Sequence, residues 1–327
     1  EEREKRWKIY NNILEKYVDF FNQKLSSNKN LEAYKYLENR KLTTEEIKLF
    51  KIGYVPHDND FYQILKKEFT NEQLKSSGIY YFDEQKGKYI DRFKGRIIFP
   101  VKNLNGMIIA LGGRSISKNY FAKYINSPET EFYKKGNNLF NLNNARNSKE
   151  KEEQVFIVEG YMDVISLSKF KIENVVANLG TAMTEKQIEL IWRFFKKPII
   201  CLDGDSSGQR AALRIAERLF PLIKPEYQIY FLTLPTNQDP DNFVNSEGRE
   251  SFLNYSQNKV DIQNFIWDSY FRDVNKSKPE SLALFEKKMK ELCYQINDKI
   301  LSKYYLDNFT QKLAELTPAL NIKKQNY

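Results

Sequence analysis

Between residues 155 and 234, short apolar runs alternate with helix-forming stretches, and this alternation limits the possible folds more than any other feature. The runs 155–158, 175–178, 198–202 and 228–234 read as buried strands. The stretches 161–170, 184–195 (opened by Thr184) and 207–220 read as helices. Strands separated by helices of this length specify a parallel sheet with right-handed crossovers and helices on both faces. Residues 1–50 read as helical, with an amphipathic stripe of Trp7, Ile9, Tyr10, Ile13, Leu14, Tyr17, Val18 and Phe21. Thr43-Thr44-Glu45-Glu46 offers a capped helix start. The region 89–125 turns to strands, and Asn105-Gly106 between apolar runs marks a hairpin ahead of Gly112-Gly113-Arg114. After about 256 the chain is helical again. The expected organisation is α/β: a mixed basic subdomain over 1–135, the parallel-sheet subdomain over 136–255 and a helical subdomain over 256–327.

Acidic residues stand where this sheet ends its strands. Glu159 follows the first run, with Asp163 one turn into the next helix. Asp203 and Asp205 flank Gly204, and Asp239 and Asp241 flank Pro240. Open α/β sheets bind ligands at the carboxyl ends of their strands, so these acids are expected to face one crevice. Pro240 restricts Asp239 to an extended conformation and pre-aims its pair. Any one of these motifs alone reads equally well as a turn or a helix cap. Together they make a hard oxygen donor set suited to Mg²⁺ or Mn²⁺, and hence to metal-dependent phosphoryl transfer.

The formal net charge is +9 despite these acids, so basic residues dominate elsewhere and an anionic partner is expected, nucleic acid first. A generally lysine-rich surface is the alternative source of that charge. No apolar run reaches the roughly 18 residues of a membrane span and the first residues lack a signal-peptide core, so a cytoplasmic protein is expected. Cys201 and Cys293 have no C-x-x-C partner and read as buried thiols. His57, after Pro56, reads as a surface residue.

In the order Glu159-Gly160-Tyr161-Met162-Asp163, Leu179-Gly180-Thr181, Asp203-Gly204-Asp205 with Gly208, and Asp239-Pro240-Asp241, the chain resembles the Toprim module. Upstream stand Asp91-Arg92-Phe93 through Arg96, Phe99-Pro100, Gly112-Gly113-Arg114 and the block Lys123-Tyr124-Ile125-Asn126-Ser127-Pro128-Glu129-Thr130. With them the resemblance extends over nearly the whole chain to the bacterial DnaG-type primases, in their catalytic core. It implies short RNA primers made from NTPs on single-stranded DNA, giving an RNA–DNA hybrid and releasing pyrophosphate. It also implies metal-binding roles for Glu159, Asp163, Asp203, Asp205, Asp239 and Asp241, with Glu159, Asp203 and Asp205 catalytic. Glu159 can be a ligand or a proton shuttle. Arg40, Arg92, Lys94, Arg96, Arg114, Lys123 and Lys135 match the family's nucleotide- and nucleic-acid-contacting face, and Tyr124 is a candidate for stacking on a base. Lys94 stands where arginine is usual, and Asn141 where glycine is usual.

No cysteine and histidine set precedes the first helix, so zinc is expected only in a missing N-terminal domain. A replicative helicase is expected to bind through a C-terminal domain also absent here. Two other readings remain open on the sequence: another Toprim activity such as strand cleavage by a topoisomerase or nuclease, and a non-catalytic nucleic-acid-binding module.

Overall fold

The computed structural model describes residues 1–29, 31–117, 122–148, 153–180, 182–204 and 206–316. The chain gathers into two compact units that interleave in sequence, Glu1–Glu150 with Glu159–Thr181, and Lys151–Val158 with Ala182–Tyr327. Among the described residues no helix is long and apolar enough to cross a membrane.

In the first unit the amphipathic stripe becomes one helix, Glu2–Ser27, which buries Tyr10, Ile13, Leu14, Tyr17, Val18, Phe21 and Leu25. Residues three, four and seven apart share a helix face, so the stripe lies against a single core with Val55, Phe61, Ile79, Phe93, Ile98 and Leu111. That core underlies an antiparallel sheet with strands in the order Gly53–Val55, Arg96–Lys102, Ile108–Ser115, Tyr124–Asn126. The two long strands form the expected hairpin. Gly106 takes φ +81°, and Asn103 closes the turn through its N–H to the Met107 carbonyl at 2.9 Å. Thr43 and Glu46 cap the helix Thr44–Leu49 reciprocally. The helix Tyr161–Lys169 and the strand Val175–Ala177 belong to this unit, the strand through a bridge between Ala177 and Phe140. Asn141 takes φ +69°, which explains the usual glycine there, and Asn tolerates this left-handed conformation better than most side chains.

The second unit carries the parallel strands. Tyr230–Thr233 pairs with Lys197–Leu202, and Lys197–Leu202 with Gln154–Val158, all parallel. A two-residue antiparallel strand, Val260–Asp261, adds to Tyr230–Thr233. The helices Glu185–Trp192 and Ser206–Leu219 follow the expected pattern, the first capped by Thr184 and Gln187. The helices Ile262–Phe271, Pro279–Gln295 and Lys299–Leu316 meet on Trp267, whose ring lies 4.8 Å from Phe285 and 5.6 Å from Phe309. Cys201 and Cys293 are buried and not joined in a disulfide, and His57 is exposed.

Candidate active site

The acidic segments of the second unit leave the sheet at one level. Leu202 and Thr233 are paired in the parallel register, and the Leu234 N–H donates to the Leu202 carbonyl at 3.1 Å. Beyond the strands, the Gly204 N–H reaches the Gln238 carbonyl at 3.2 Å. A Cβ on Gly204 would sit 2.0 Å from the Pro235 carbonyl oxygen, so only glycine allows the segment holding Asp203 to lie on the segment leading to Asp239. Asp203 is partly exposed. Asp239 caps the helix Pro240–Tyr255, accepting from the Asn242 N–H at 2.7 Å, with Pro240 in its first turn. Asp241, 4% exposed, accepts from the Asn245 amide at 2.7 Å. Helix cap and candidate ligand are thus compatible readings of Asp239, since a carboxylate has several acceptor positions. Asp205 lies outside the described residues.

Among the described residues no group of three or more His, Cys, Asp or Glu side chains is arranged to hold a metal ion. Asp203, Asp239 and Asp241 are all hard oxygen donors, and the close approach at Gly204 brings the segments of Asp203 and Asp239 together. This donor chemistry fits Mg²⁺ or Mn²⁺ and excludes a soft-metal site.

In the first unit Glu159 is exposed, and Asp163, 9% exposed, accepts from the Gly160 N–H at 2.9 Å at the start of its helix. Between them in sequence, Tyr161 joins several motifs. Its ring stacks on Phe99 at 5.0 Å and meets Phe140 edge-on at 4.8 Å. It fills the space a side chain at Gly112 would need, because a Cβ there would lie 2.2 Å from the ring. Its hydroxyl, pushed up in pKa by burial, donates to the Asn126 side-chain oxygen. The Asn126 amide donates in turn to the Leu179 carbonyl at 3.0 Å, where Leu179 and Gly180 take φ +60° and +69°. The sequence did not assign these contacts. The adjacent glycines in a strand were the available signal, since such glycines mark close approach.

Much of the 123–130 block is architectural. Ser127 exchanges hydrogen bonds with Leu111, and Thr130 Oγ1 accepts from the Tyr133 N–H at 3.1 Å. Of its residues Lys123, Tyr124, Pro128 and Glu129 are exposed, and Lys123 and Tyr124 are the two that match the family's contacting face.

The basic residues divide by environment. Arg114 is 5% exposed, with its guanidinium carbon 4.8 Å from the Tyr36 ring centre and 5.2 Å from that of Tyr124. Arg40, at the end of the helix Glu32–Asn39, lies 5.9 Å from Tyr36. Desolvation holds the Tyr124 hydroxyl up at about 12 against the charges of Arg114 and Arg40, with Asp163 reinforcing the rise. Arg40, Arg114, Tyr124 and Asp163 are therefore neighbours. Arg96, also 5% exposed, spends its guanidinium on the carbonyls of Ala122 at 2.9 Å and Lys123 at 3.3 Å. Arg92 donates to the Gly78 carbonyl at 3.2 Å and lies 5.1 Å from the Tyr81 ring. Lys94 acts on the buried Asp91, and Lys135 is half-buried with its N–H on Glu129 at 3.2 Å.

Strand-end carboxylates on a parallel sheet, in a chain whose first unit is rich in buried and exposed cations, define a Toprim-type nucleic-acid enzyme core. Residues 20–146 match the family "DNA primase catalytic core, N-terminal domain" and residues 153–233 match the Toprim domain. The DNA primase of Rickettsia bellii is 36% identical over 303 residues, 92% of this chain and 50% of that protein. A DNA primase domain from Pseudomonas aeruginosa superposes with TM-score 0.85 at 32% identity, covering 94% of this chain and 96% of that one. A DnaG primase catalytic domain solved bound to single-stranded DNA superposes with TM-score 0.85 at 30% identity, over 95% and 96% of the two chains. The chain belongs to the DnaG-type DNA primase family, in its catalytic core. It spans about half the length of the curated relatives it matches.

Proposed function

We propose that this chain is the polymerising core of a DNA primase, joining ribonucleotides into short primers on single-stranded DNA in the cytoplasm. The observation that carries the reading is the contact at Gly204, which lays the Asp203 segment on the segment leading to Asp239 at the carboxyl edge of the parallel strands. Asp203, Asp205, Asp239 and Asp241 would hold divalent cations, with Glu159 and Asp163 the further carboxylates that the family likeness adds. Such cations, when bound, supply charge stabilisation to the attacking and leaving oxygens of phosphoryl transfer.

The chain's own residues do the rest. Asp239 and Asp241 are pre-aimed by Pro240 and by their bonds to Asn242 and Asn245, so their orientation costs little on binding. Glu159 is exposed, which suits it to accept the proton of an attacking 3′-hydroxyl, while Asp163 accepts the Gly160 N–H at the start of its helix. Arg40, Arg92, Lys94, Arg114, Lys123 and Lys135 supply positive charge for triphosphate and for the template–primer hybrid. Tyr124, 40% exposed, offers a ring to a base. Arg96 serves by fixing the backbone of Ala122 and Lys123, and so the position of Lys123. A replicative helicase and a zinc-bearing module remain partners that the family likeness implies. Among the described residues no His and Cys cluster offers a zinc site.

The test is synthesis on single-stranded DNA with four ribonucleotides and Mg²⁺ or Mn²⁺, with products resolved by length. Short RNA that disappears in Asp203→Ala is the expected result. Cleaved DNA would instead assign a topoisomerase- or nuclease-like activity, and unchanged turnover in Asp203→Ala would remove the carboxylates from the mechanism.

A further inference from the structure

Two arginines of the first unit are equally buried, yet they are stabilised by different means. Arg96 follows the usual course for a guanidinium taken from water, donating to two backbone carbonyls. Arg114 does not. Its Nε is buried and has no hydrogen-bond partner among the described residues, and its guanidinium lies over the rings of Tyr36 and Tyr124. Ring faces stabilise a cation without neutralising it, most strongly where water is excluded. The strands explain half of this placement, because Arg114 and Tyr124 are directly opposed in the antiparallel register. Tyr36 supplies the other half from the helix Glu32–Asn39, and Arg40 lies over the same ring one turn later. The Tyr36 hydroxyl is itself buried with no partner among the described residues. What the position uses is therefore the ring, because an unpaired buried hydroxyl only costs.

We propose that Tyr36 is a positioning residue for phosphate recognition: its ring fixes the Arg114 guanidinium between two π faces, keeping a desolvated charge available to a phosphate instead of spending it on a protein carboxylate. The inference rests on the primase reading for the source of that phosphate, a nucleotide triphosphate or the phosphodiester of a strand.

The experiment compares the wild-type chain with Tyr36→Met, Tyr36→Phe, Arg114→Gln and the double variant Tyr36→Met/Arg114→Gln. Calorimetry measures ATP binding and anisotropy measures binding of a fluorescein-labelled oligothymidylate; primer synthesis gives KM and kcat. Met fills the volume without a π face. Tyr36→Met should weaken one of the two ligands by about tenfold, with KM raised and kcat within about twofold. Loss in the ATP arm assigns the nucleotide, and loss in the oligonucleotide arm assigns the strand. Tyr36→Phe should restore the affinity. The double variant should bind no more weakly than Arg114→Gln alone, since Tyr36 acts through Arg114. Equal loss in the Phe and Met variants, additive losses in the double variant, or no loss in either arm would overturn the proposal. Should Tyr36→Met not fold, the Arg114 Nε–H resonance of the wild-type chain carries the test: it should move saturably with inorganic triphosphate or with the oligonucleotide, and a resonance unmoved by both overturns the idea. A chain that binds these ligands but makes no RNA refutes the primase reading while leaving both binding arms readable.

Discussion

Asp91 should make the first unit less stable as pH rises from 4 to 7. Its carboxylate, 9% exposed, accepts from the Tyr17 hydroxyl at 2.9 and 2.8 Å and from the Phe93 N–H at 2.8 Å. Burial outweighs these bonds and the nearby Lys94, and it pushes the pKa up to about 6. Since an unfolded aspartate titrates near 3.9, the native state holds the proton more tightly. The stabilisation from this group is complete below about pH 4 and is lost as pH rises through about 6. At about 1.4 kcal/mol per pH unit, a gap of about 2 units is worth about 3 kcal/mol. Asp91→Asn keeps an acceptor for the Phe93 N–H and does not titrate. Urea unfolding of both proteins from pH 4 to 7.5 isolates the effect, because the other acids cancel in the difference. The stability difference should shift by about 3 kcal/mol in favour of Asp91→Asn. A flat difference, or a shift in favour of the wild type, would refute burial as the dominant influence on Asp91. The result bears on the cationic unit directly, since Asp91 holds Phe93, whose ring fills the space above Gly113, next to Arg114.

Gly204→Ala forces a Cβ to within 2.0 Å of the Pro235 carbonyl and should part the two acidic segments, weakening Mn²⁺ binding by more than tenfold in a titration followed by electron paramagnetic resonance. Gly112→Ala drives a methyl into the Tyr161 ring and should cost at least about 1–3 kcal/mol in urea unfolding, with Tyr161→Leu recovering part of the loss in the double variant. Lys123→Ala removes an exposed charge while the Arg96 bond to its carbonyl persists, so single-stranded DNA binding should weaken with the salt slope falling by about 0.7 and Mn²⁺ affinity unchanged. Loss of metal with unchanged DNA binding in that variant would invert the assignment.

The elements legible in the sequence are those whose signal is local. The stripe from Trp7 to Phe21, the turn at Asn105-Gly106 and the Thr43 and Thr184 caps need only neighbours a few residues away, and each appears where the pattern placed it. Element ends were less legible: the helix read over 184–195 ends at Trp192, where the chain turns to bury Phe195. The strand Val260–Asp261 left no pattern because two residues cannot show a period. The candidate residues follow the same division. Burial of Arg96 and Arg114 depends on which strands are paired, and Tyr36 reaches Arg114 across nearly eighty positions of chain, so composition and spacing carry no trace of either.

Many residues that gave the chain its family resemblance are occupied in holding backbone. Asn126 ties Tyr161 to Leu179, Ser127 pairs with Leu111 of the neighbouring strand, Thr130 closes a local turn, Gly112 and Gly113 reserve volume for rings, and Arg96 holds the carbonyls before Tyr124. The chemistry is left to side chains that these contacts aim. Such an arrangement follows from what phosphoryl transfer asks of a protein, which is positioning and charge rather than a covalent step. Carboxylates and guanidiniums are long or strongly hydrated groups, and holding one in place costs entropy and desolvation unless its backbone and its flanks are already fixed. Gly204 does this for the Asp203 segment by backbone contact, and Tyr36 and Tyr124 do it for Arg114 by ring contact. Loss of a supporting contact should therefore appear first as weakened binding of the ion or phosphate it aims, with the fold largely retained. That separation is what the Gly204 and Tyr36 variants measure from opposite sides of the charge balance.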